Sequence, residues 1–309
     1  MKRLLLLVLI ITCLTGCKTS ESAQSISANQ QEVWQTIIVK QLNSTITGDI
    51  IKVEYNNGTI LFYRILDNFG NITLTWDRTN DRKSYHEGNS KYKGEIDIPS
   101  FVTSGDHNEF RFRVREIDQN TFNGCTGVTK INIPYSILKI SFDAFKDCNN
   151  LEQITVNKYN PTYVSIDGVL FSKDKKMLIQ YPAKKKLTEY VFPDEVAFIC
   201  PSAFKDNHYL SSIKMGNNVT ALSDYSFMNC VNLKSINLGH SVRIIGKDSF
   251  KNCPKLEEIY TMNIFPPHNC PVVFDSSVKN TCTLYIPNGQ KNNYMRRLEW
   301  SEFKNIIEQ

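Results

Sequence analysis

The chain has 309 residues, 41% hydrophobic and 22% charged, with a formal net charge of +5. It is apolar enough to bury a sizeable core and too mildly basic to point to a nucleic-acid partner. Removing Lys2 and Arg3 with a leader leaves 34 basic against 31 acidic residues, a balance of only +3.

Met1-Lys2-Arg3 is followed by an apolar run from Leu4 to Ile11. This order is that of a signal peptide, and the run is too short for a stable membrane span. The run closes in Leu14-Thr15-Gly16-Cys17, which resembles a bacterial lipobox. The resemblance implies cleavage before Cys17 and a thioether from its sulfur to diacylglycerol. Residues 1–16 are therefore expected to be a lipoprotein signal peptide, and residues 17–47 a lipidated tether with a short helix. Lys18 stands where inner-membrane retention is associated with aspartate, so an outer-membrane lipid anchor with cell-surface exposure is expected. Residues 18–29 are rich in Ser, Gln and Ala, as in a flexible tether. Val33, Trp34, Ile37, Ile38 and Leu42 fall at helical spacing and predict an amphipathic helix packed onto the body.

Residues 50–55, 59–66 and 71–76 alternate apolar and polar around Asn56-Asn57-Gly58 and Asn68-Phe69-Gly70, the pattern of a β-meander. Strands continue at Gly94–Pro99 and Phe110–Ile117. Residues 48–116 are predicted to form an N-terminal β cap over the open end of a stack on their C-terminal side, because an uncapped stack exposes apolar surface and unpaired edges. The 78–92 loop, with Tyr85 and Tyr92, is expected to be exposed and to offer a secondary contact site.

From residue 117 a repeat takes over. Phenylalanine followed three residues later by cysteine recurs at Phe122/Cys125, Phe145/Cys148, Phe227/Cys230 and Phe250/Cys253, with a variant at Phe204/Asn207. Successive phenylalanines are 23 residues apart, except that Phe145 and Phe204 are separated by one period plus 36. Six residues after each phenylalanine come Val128, Leu151, Leu210, Leu233 and Leu256, and nine after come Ile131, Ile154, Ile213, Ile236 and Ile259. A second apolar pair comes next, as in Val242-x-x-Ile245. A fixed period of this size marks one unit stacked into a solenoid whose coils bury each other. The Leu-x-x-Ile segment reads as a short strand and the second pair as the returning side of the coil.

The pattern resembles the BspA-like leucine-rich repeats of bacterial surface proteins, closely over residues 110 to 262. The resemblance implies a leucine-rich-repeat solenoid: a right-handed, β-rich superhelix with a short or irregular convex side, an N-terminal β cap and a C-terminal capping segment. Repeats are expected over 117–262, with a hairpin inserted at about 157–192 and a C-terminal cap at 263–309. Lys173, Lys175, Lys176, Lys184, Lys185 and Lys186 cluster on that hairpin and read as a solvated surface. Tyr260 is expected to close the last regular coil.

The cysteine column lacks C-x-x-C pairs and nearby histidines, so no metal site is expected. Between inter-coil disulfides and buried thiols, the asparagine at 207 favours thiols. Cys270 and Cys282 near the C-terminal end are the candidate pair for a bridge. No nucleophile elbow, H-E-x-x-H or phosphate-binding glycine loop is present, so neither a catalytic residue nor a cofactor is expected, and the chain does not read as an enzyme.

In leucine-rich repeats the outward strand residues make a shared face. Here these are Lys130, Gln153, Ser212, Ser235 and Glu258 in one column, and Asn132, Thr155, Lys214, Asn237 and Tyr260 in the next. This polar face suits a broad, hydrogen-bonded interface. The expected function is a monomeric, lipid-anchored surface protein binding a host or bacterial surface protein or a glycan, with membrane contact through the lipid and none with nucleic acid. The alternative is a structural or accessory lipoprotein scaffold of an outer-membrane complex.

Overall fold

In a computed structural model of the chain, residues 38–39, 50–54, 60–67, 69–75, 92–104, 110–269 and 272–309 are described. The expected signal peptide and tether, with Cys17, Trp34, Tyr85 and Cys270, lie outside them. The predicted helix is corrected over its described residues: Ile38–Val39 is a strand, paired in parallel with Phe101–Ser104. Apolar residues at 37 and 38 fit either period, and a sheet edge decides between them.

The N-terminal sheet runs in the order Ile38–Val39, Phe101–Ser104, Phe110–Ile117, Asn71–Thr75, Ile60–Ile65 and Ile50–Glu54. Its inner face buries Val53, Leu61, Tyr63, Ile72, Leu74, Phe112 and Val114 against Phe122, Val128 and Ile131 of the first coils, so sheet and solenoid share one core. Tyr92, expected in an exposed loop, is 1% exposed and packs 5.6 Å from Phe122. Lys93–Asp97, predicted as part of the cap, pairs in parallel with Gly127–Ile133 and is already a rung of the ladder.

The repeat stacks as its period requires. Phe122 stacks on Phe145 at 5.9 Å. Beyond the insertion, a file runs Tyr181, Phe204, Phe227, Phe250, Phe274, with centroids 4.7, 4.7, 5.2 and 5.2 Å apart. Two residues after each phenylalanine the chain enters the left-handed region, at Gly124, Asp147, Asp206, Asn229 and Asn252, with φ between 56° and 68°. Glycine, aspartate and asparagine tolerate that turn best. Their side chains also link coils: the Asn229 amide donates to Asp206 Oδ1 (2.6 Å) and the Asn252 amide to Asn229 Oδ1 (2.8 Å).

The cysteines have a structural task. The thiols of Cys148, Cys230 and Cys253 donate to the carbonyls of Phe122, Phe204 and Phe227, one coil earlier, at 2.9, 3.3 and 3.2 Å. Asn207 also reaches the preceding coil, its amide donating to Ala183 O at 3.2 Å and not to the aromatic carbonyl, while its Oδ1 accepts the N–H groups of Tyr209 and Leu210. The column therefore calls for a small buried donor.

The insertion is a hairpin of Tyr163–Ile166 and Val169–Ser172, continued by Met177–Gln180. It crosses the interior: Leu170 faces the N-terminal core, and Val169 and Phe171 face a second core that runs to the C-terminus. The coils do not dissolve after Tyr260. Thr283–Ile286 and Asn305–Glu308 add two further parallel rungs, and Trp300 closes the aromatic file edge-on at 5.8 Å from Phe274. Glu299 accepts the N–H groups of Val273 and Phe274 at 3.0 and 3.1 Å and meets Lys279 at 3.5 Å. Cys282 is a buried free thiol, and Cys270, its expected bridge partner, lies outside the described residues.

Burial pushes these thiols up: Cys125, Cys253 and Cys282 to about 12, Cys200 to about 11, and Cys148 and Cys230 well above the ordinary range. An unfolded thiol ionises near 8.5, so between that value and the folded pKa the native chain holds more protons than the unfolded one. Their contribution is therefore fully present below about pH 8.5 and is lost as pH rises, by about 1.4 kcal/mol per pH unit for each thiol. The urea midpoint is expected to fall steeply between pH 9 and 10.5, and to fall less steeply in Cys253→Ala than in the parent. Parallel pH profiles for the two would show that Cys253 does not carry this proton.

Candidate binding face

The outward columns of the first ladder form two surfaces. The N-terminal part has three rungs, Lys93–Asp97, Gly127–Ile133 and Gln153–Val156. The hairpin interrupts the ladder there: Gly168 O accepts the Ile154 N–H at 2.9 Å, and the Ser165 hydroxyl donates to Ile154 O at 2.6 Å. A Cβ on Gly168 would lie 2.8 Å from Gln153 Cγ, so the hairpin rests against the Gln153 side chain. A second sheet then restarts with Glu189–Val191 and runs through Ser212–Lys214, Ser235–Asn237, Glu258–Tyr260, Thr283–Ile286 and Asn305–Glu308. The ten residues expected to form one face thus divide, four on the first surface and six on the second.

The polar groups of the first surface are bonded to one another. Lys130 pairs with Glu95 at 2.8 Å, and the Asn132 amide donates to Glu95 at 2.6 Å and Asp97 at 2.5 Å. The Thr155 hydroxyl donates to Asn132 Oδ1. The hydrogen bond from Lys130, then that from Asn132, lowers the Glu95 pKa. Lys130, Asn132 and Thr155 are committed to one another and to two carboxylates of the segment predicted to be a cap.

The second surface is more open. Its inward residues Ile213, Ile236, Ile259 and Leu284 are buried in the core. Outward, one column reads Glu189, Ser212, Ser235, Glu258, Thr283, Asn305, and the other Val191, Lys214, Asn237, Tyr260, Tyr285, Ile307. Six rungs at about 4.8 Å span about 24 Å. Ser235 donates to Ser212 at 3.3 Å, and Asn237 Oδ1 accepts the Gly239 N–H at 2.9 Å. Tyr260 and Tyr285 stack face to face, centroids 4.4 Å apart and planes 6° apart. Burial, and then the hydrogen bond with Glu258, push Tyr260 up to about 12. Val191 is 65% and Ile307 48% exposed, so apolar groups bracket the polar and aromatic centre.

Val191, Tyr285 and Ile307 join the face without having been expected there. Leu284-Tyr285-Ile286 repeats the Ile236-Asn237-Leu238 pattern, and that similarity could have placed Tyr285 on the face. His208, His240 and His268 stand exposed and far apart in sequence, His268 on a short strand. Among the described residues no group of three or more histidines, cysteines and acids is placed to hold a metal ion.

A family model for the BspA-type leucine-rich repeat region matches residues 94–179 and 180–294 in six copies. Among solved structures, a leucine-rich repeat protein from Eubacterium ventriosum superposes with a TM-score of 0.50 at 21% identity, covering 79% of this chain and 80% of its own. That likeness is one of fold. The pneumococcal vaccine antigen PcpA matches at 16% identity and TM-score 0.42, covering 85% of this chain and 99% of that one. A leucine-rich repeat protein from Bacteroides ovatus matches at 17% identity and TM-score 0.37, covering 73% and 69%. No curated protein matches the chain.

The stacked tyrosines give this surface a measurable signature. A double-mutant cycle of Tyr260→Ala and Tyr285→Ala, read by urea unfolding, is expected to show a coupling of about 0.5–1.5 kcal/mol. Additive single changes would mean that the rings do not meet in solution.

Proposed function

The chain belongs to the BspA-type leucine-rich repeat family, and from that membership we propose that it is a non-enzymatic surface lipoprotein that binds a protein or glycan partner along its six-rung face. The observation that carries this reading is the continuous outward column Val191–Lys214–Asn237–Tyr260–Tyr285–Ile307. Aromatic groups at the centre of a polar strip are what association surfaces enrich. Lys214 against Glu189 and Glu258 gives the face charges of both signs, which select orientation more than they add affinity. The N-terminal rungs, whose polar groups are already bonded to one another, contribute support and not contact.

The anchor rests on Leu14-Thr15-Gly16-Cys17. Two or more acyl chains on Cys17 would hold the chain at a membrane, since each buried methylene contributes about 0.8 kcal/mol. Radiolabelled palmitate is expected to enter the wild-type chain in a bacterial host and not Cys17→Ser; equal labelling of both removes the anchor from the proposal.

The face is tested with the chain from Lys18 onward on immobilised host matrix proteins and mucin. The combined change Lys214→Glu and Tyr260→Ala is expected to weaken binding at least about tenfold, the effect of losing one well-placed central contact, with thermal unfolding shifted little. Undiminished binding by that variant would move the contact elsewhere on the molecule.

A further inference from the structure

The outer side of the N-terminal sheet carries a second chemical feature, unrelated to the six-rung face. Along Phe110–Ile117, Phe112 and Val114 point into the core while Arg111 and Arg113 are exposed and Arg115 half-buried on the opposite side. The register shift between Val114 and Glu116 keeps Arg115 on the same side as Arg111 and Arg113, so the three side chains share one side of the strand. Phe101 sits directly opposite Arg113 in the antiparallel pairing. The Arg111 guanidinium lies 3.6 Å above the Phe101 ring and that of Arg113 lies 5.2 Å from it. Arg115 Nε donates to Asn71 Oδ1 at 3.3 Å.

Among the described residues the carboxylates near this row have other main partners. Glu116 pairs with Lys139 at 3.3 Å and Asp118 with Arg64 at 2.9 Å. Asp67 accepts the Asn71 amide at 2.8 Å and the N–H groups of Phe69 and Asn71, and the Asn71 side chain is the main reason its pKa is lowered, Arg115 adding least. Among the described residues no ion pair reaches Arg111, Arg113 or Arg115. Among the described residues the three like charges thus share one side of the strand with no ion pair, Asp67 acting on Arg115 only weakly, although like charges this close cost stability. Stacking on Phe101 keeps the Arg111 and Arg113 guanidinium planes ordered.

We propose that the Arg111–Arg113–Arg115 row binds a linear polyanion, specifically a sulfated polysaccharide chain. A guanidinium group donates two parallel hydrogen bonds to a tetrahedral oxyanion, which an ammonium cannot do. Three guanidinium groups on one side of a strand can engage successive sulfates of one chain. A lipid surface is less well matched, because Arg111 lies down against Phe101 and does not reach outward. The chain's mild overall charge argues against duplex nucleic acid, which rewards a broad basic field.

The test is titration of the chain from Lys18 onward with a heparin hexasaccharide over a series of salt concentrations. The wild type is expected to bind with affinity that falls as salt rises. Arg111→Gln with Arg113→Gln is expected to lower affinity at least about tenfold and to reduce the slope of log K against log salt by about two, one per lost contact. Lys173→Gln with Lys176→Gln, the same charge change on exposed hairpin residues, is expected to leave both unchanged. If the arginine pair does not fold, Phe101→Leu keeps the charges and removes the platform, with an expected two- to fivefold loss of affinity. Equal losses in the arginine and lysine pairs overturn the proposal, as does unaltered binding in Phe101→Leu and the arginine pair. So does tighter binding of phosphatidylglycerol vesicles or of duplex DNA than of the hexasaccharide.

Discussion

The structure depends on one buried polar contact repeated from coil to coil. At Phe122, Phe204 and Phe227 the carbonyl accepts the N–H three residues on, at 3.0–3.3 Å, and keeps a second buried lone pair; a hydrogen bond made there contributes about 0.5–1.5 kcal/mol net. The next coil supplies a donor from the residue three places after its own phenylalanine. Cys148, Cys230 and Cys253 do so with a thiol, and Asn207 reaches the preceding coil with an amide. The donor must be small enough for the aromatic file beside it, and it must stay protonated. Burial secures the second condition, because the environment that needs the donor also holds the proton on the sulfur.

This contact explains what could be read from the amino acids alone. Phenylalanine, the donor and the following isoleucine occupy fixed places in each coil, so a spacing of 23 exposed the solenoid, the inward columns and the hairpin. The C-terminal coils were hidden because Phe274 follows Phe250 by 24 residues and has Ser277 where the donor is expected. The first rung was hidden for a different reason. Lys93–Asp97 precedes any phenylalanine of the file, and only its pairing with Gly127–Ile133 shows what it is. The segment at Ile38 misled because a few apolar residues cannot separate a helical from an extended period.

The candidate face was legible in its columns and not in its continuity. Which residues point outward is set by strand alternation, and Ser212 through Tyr260 lie where that rule puts them. Which outward residues are available depends on neighbours distant in sequence. Lys130 and Asn132 are taken by Glu95 and Asp97, some 35 residues earlier in the chain. Tyr260 gains Tyr285 as a stacking partner only because an irregular coil returns in register. Sequence thus marks the direction of a side chain more readily than its freedom.

The hairpin that crosses the interior also sets how the molecule comes apart. With Leu170 on one side and Val169 and Phe171 on the other, it leaves two separate apolar clusters, each closed by its own terminal element. In a stacked array cooperativity passes between nearest neighbours, and a partition weakens that transmission at one place. The C-terminal coils can accordingly open while the N-terminal sheet stays folded. For the same reason a lineage can add or delete a 23-residue coil beyond the partition, changing the reach of the molecule without disturbing the end nearer its N-terminus.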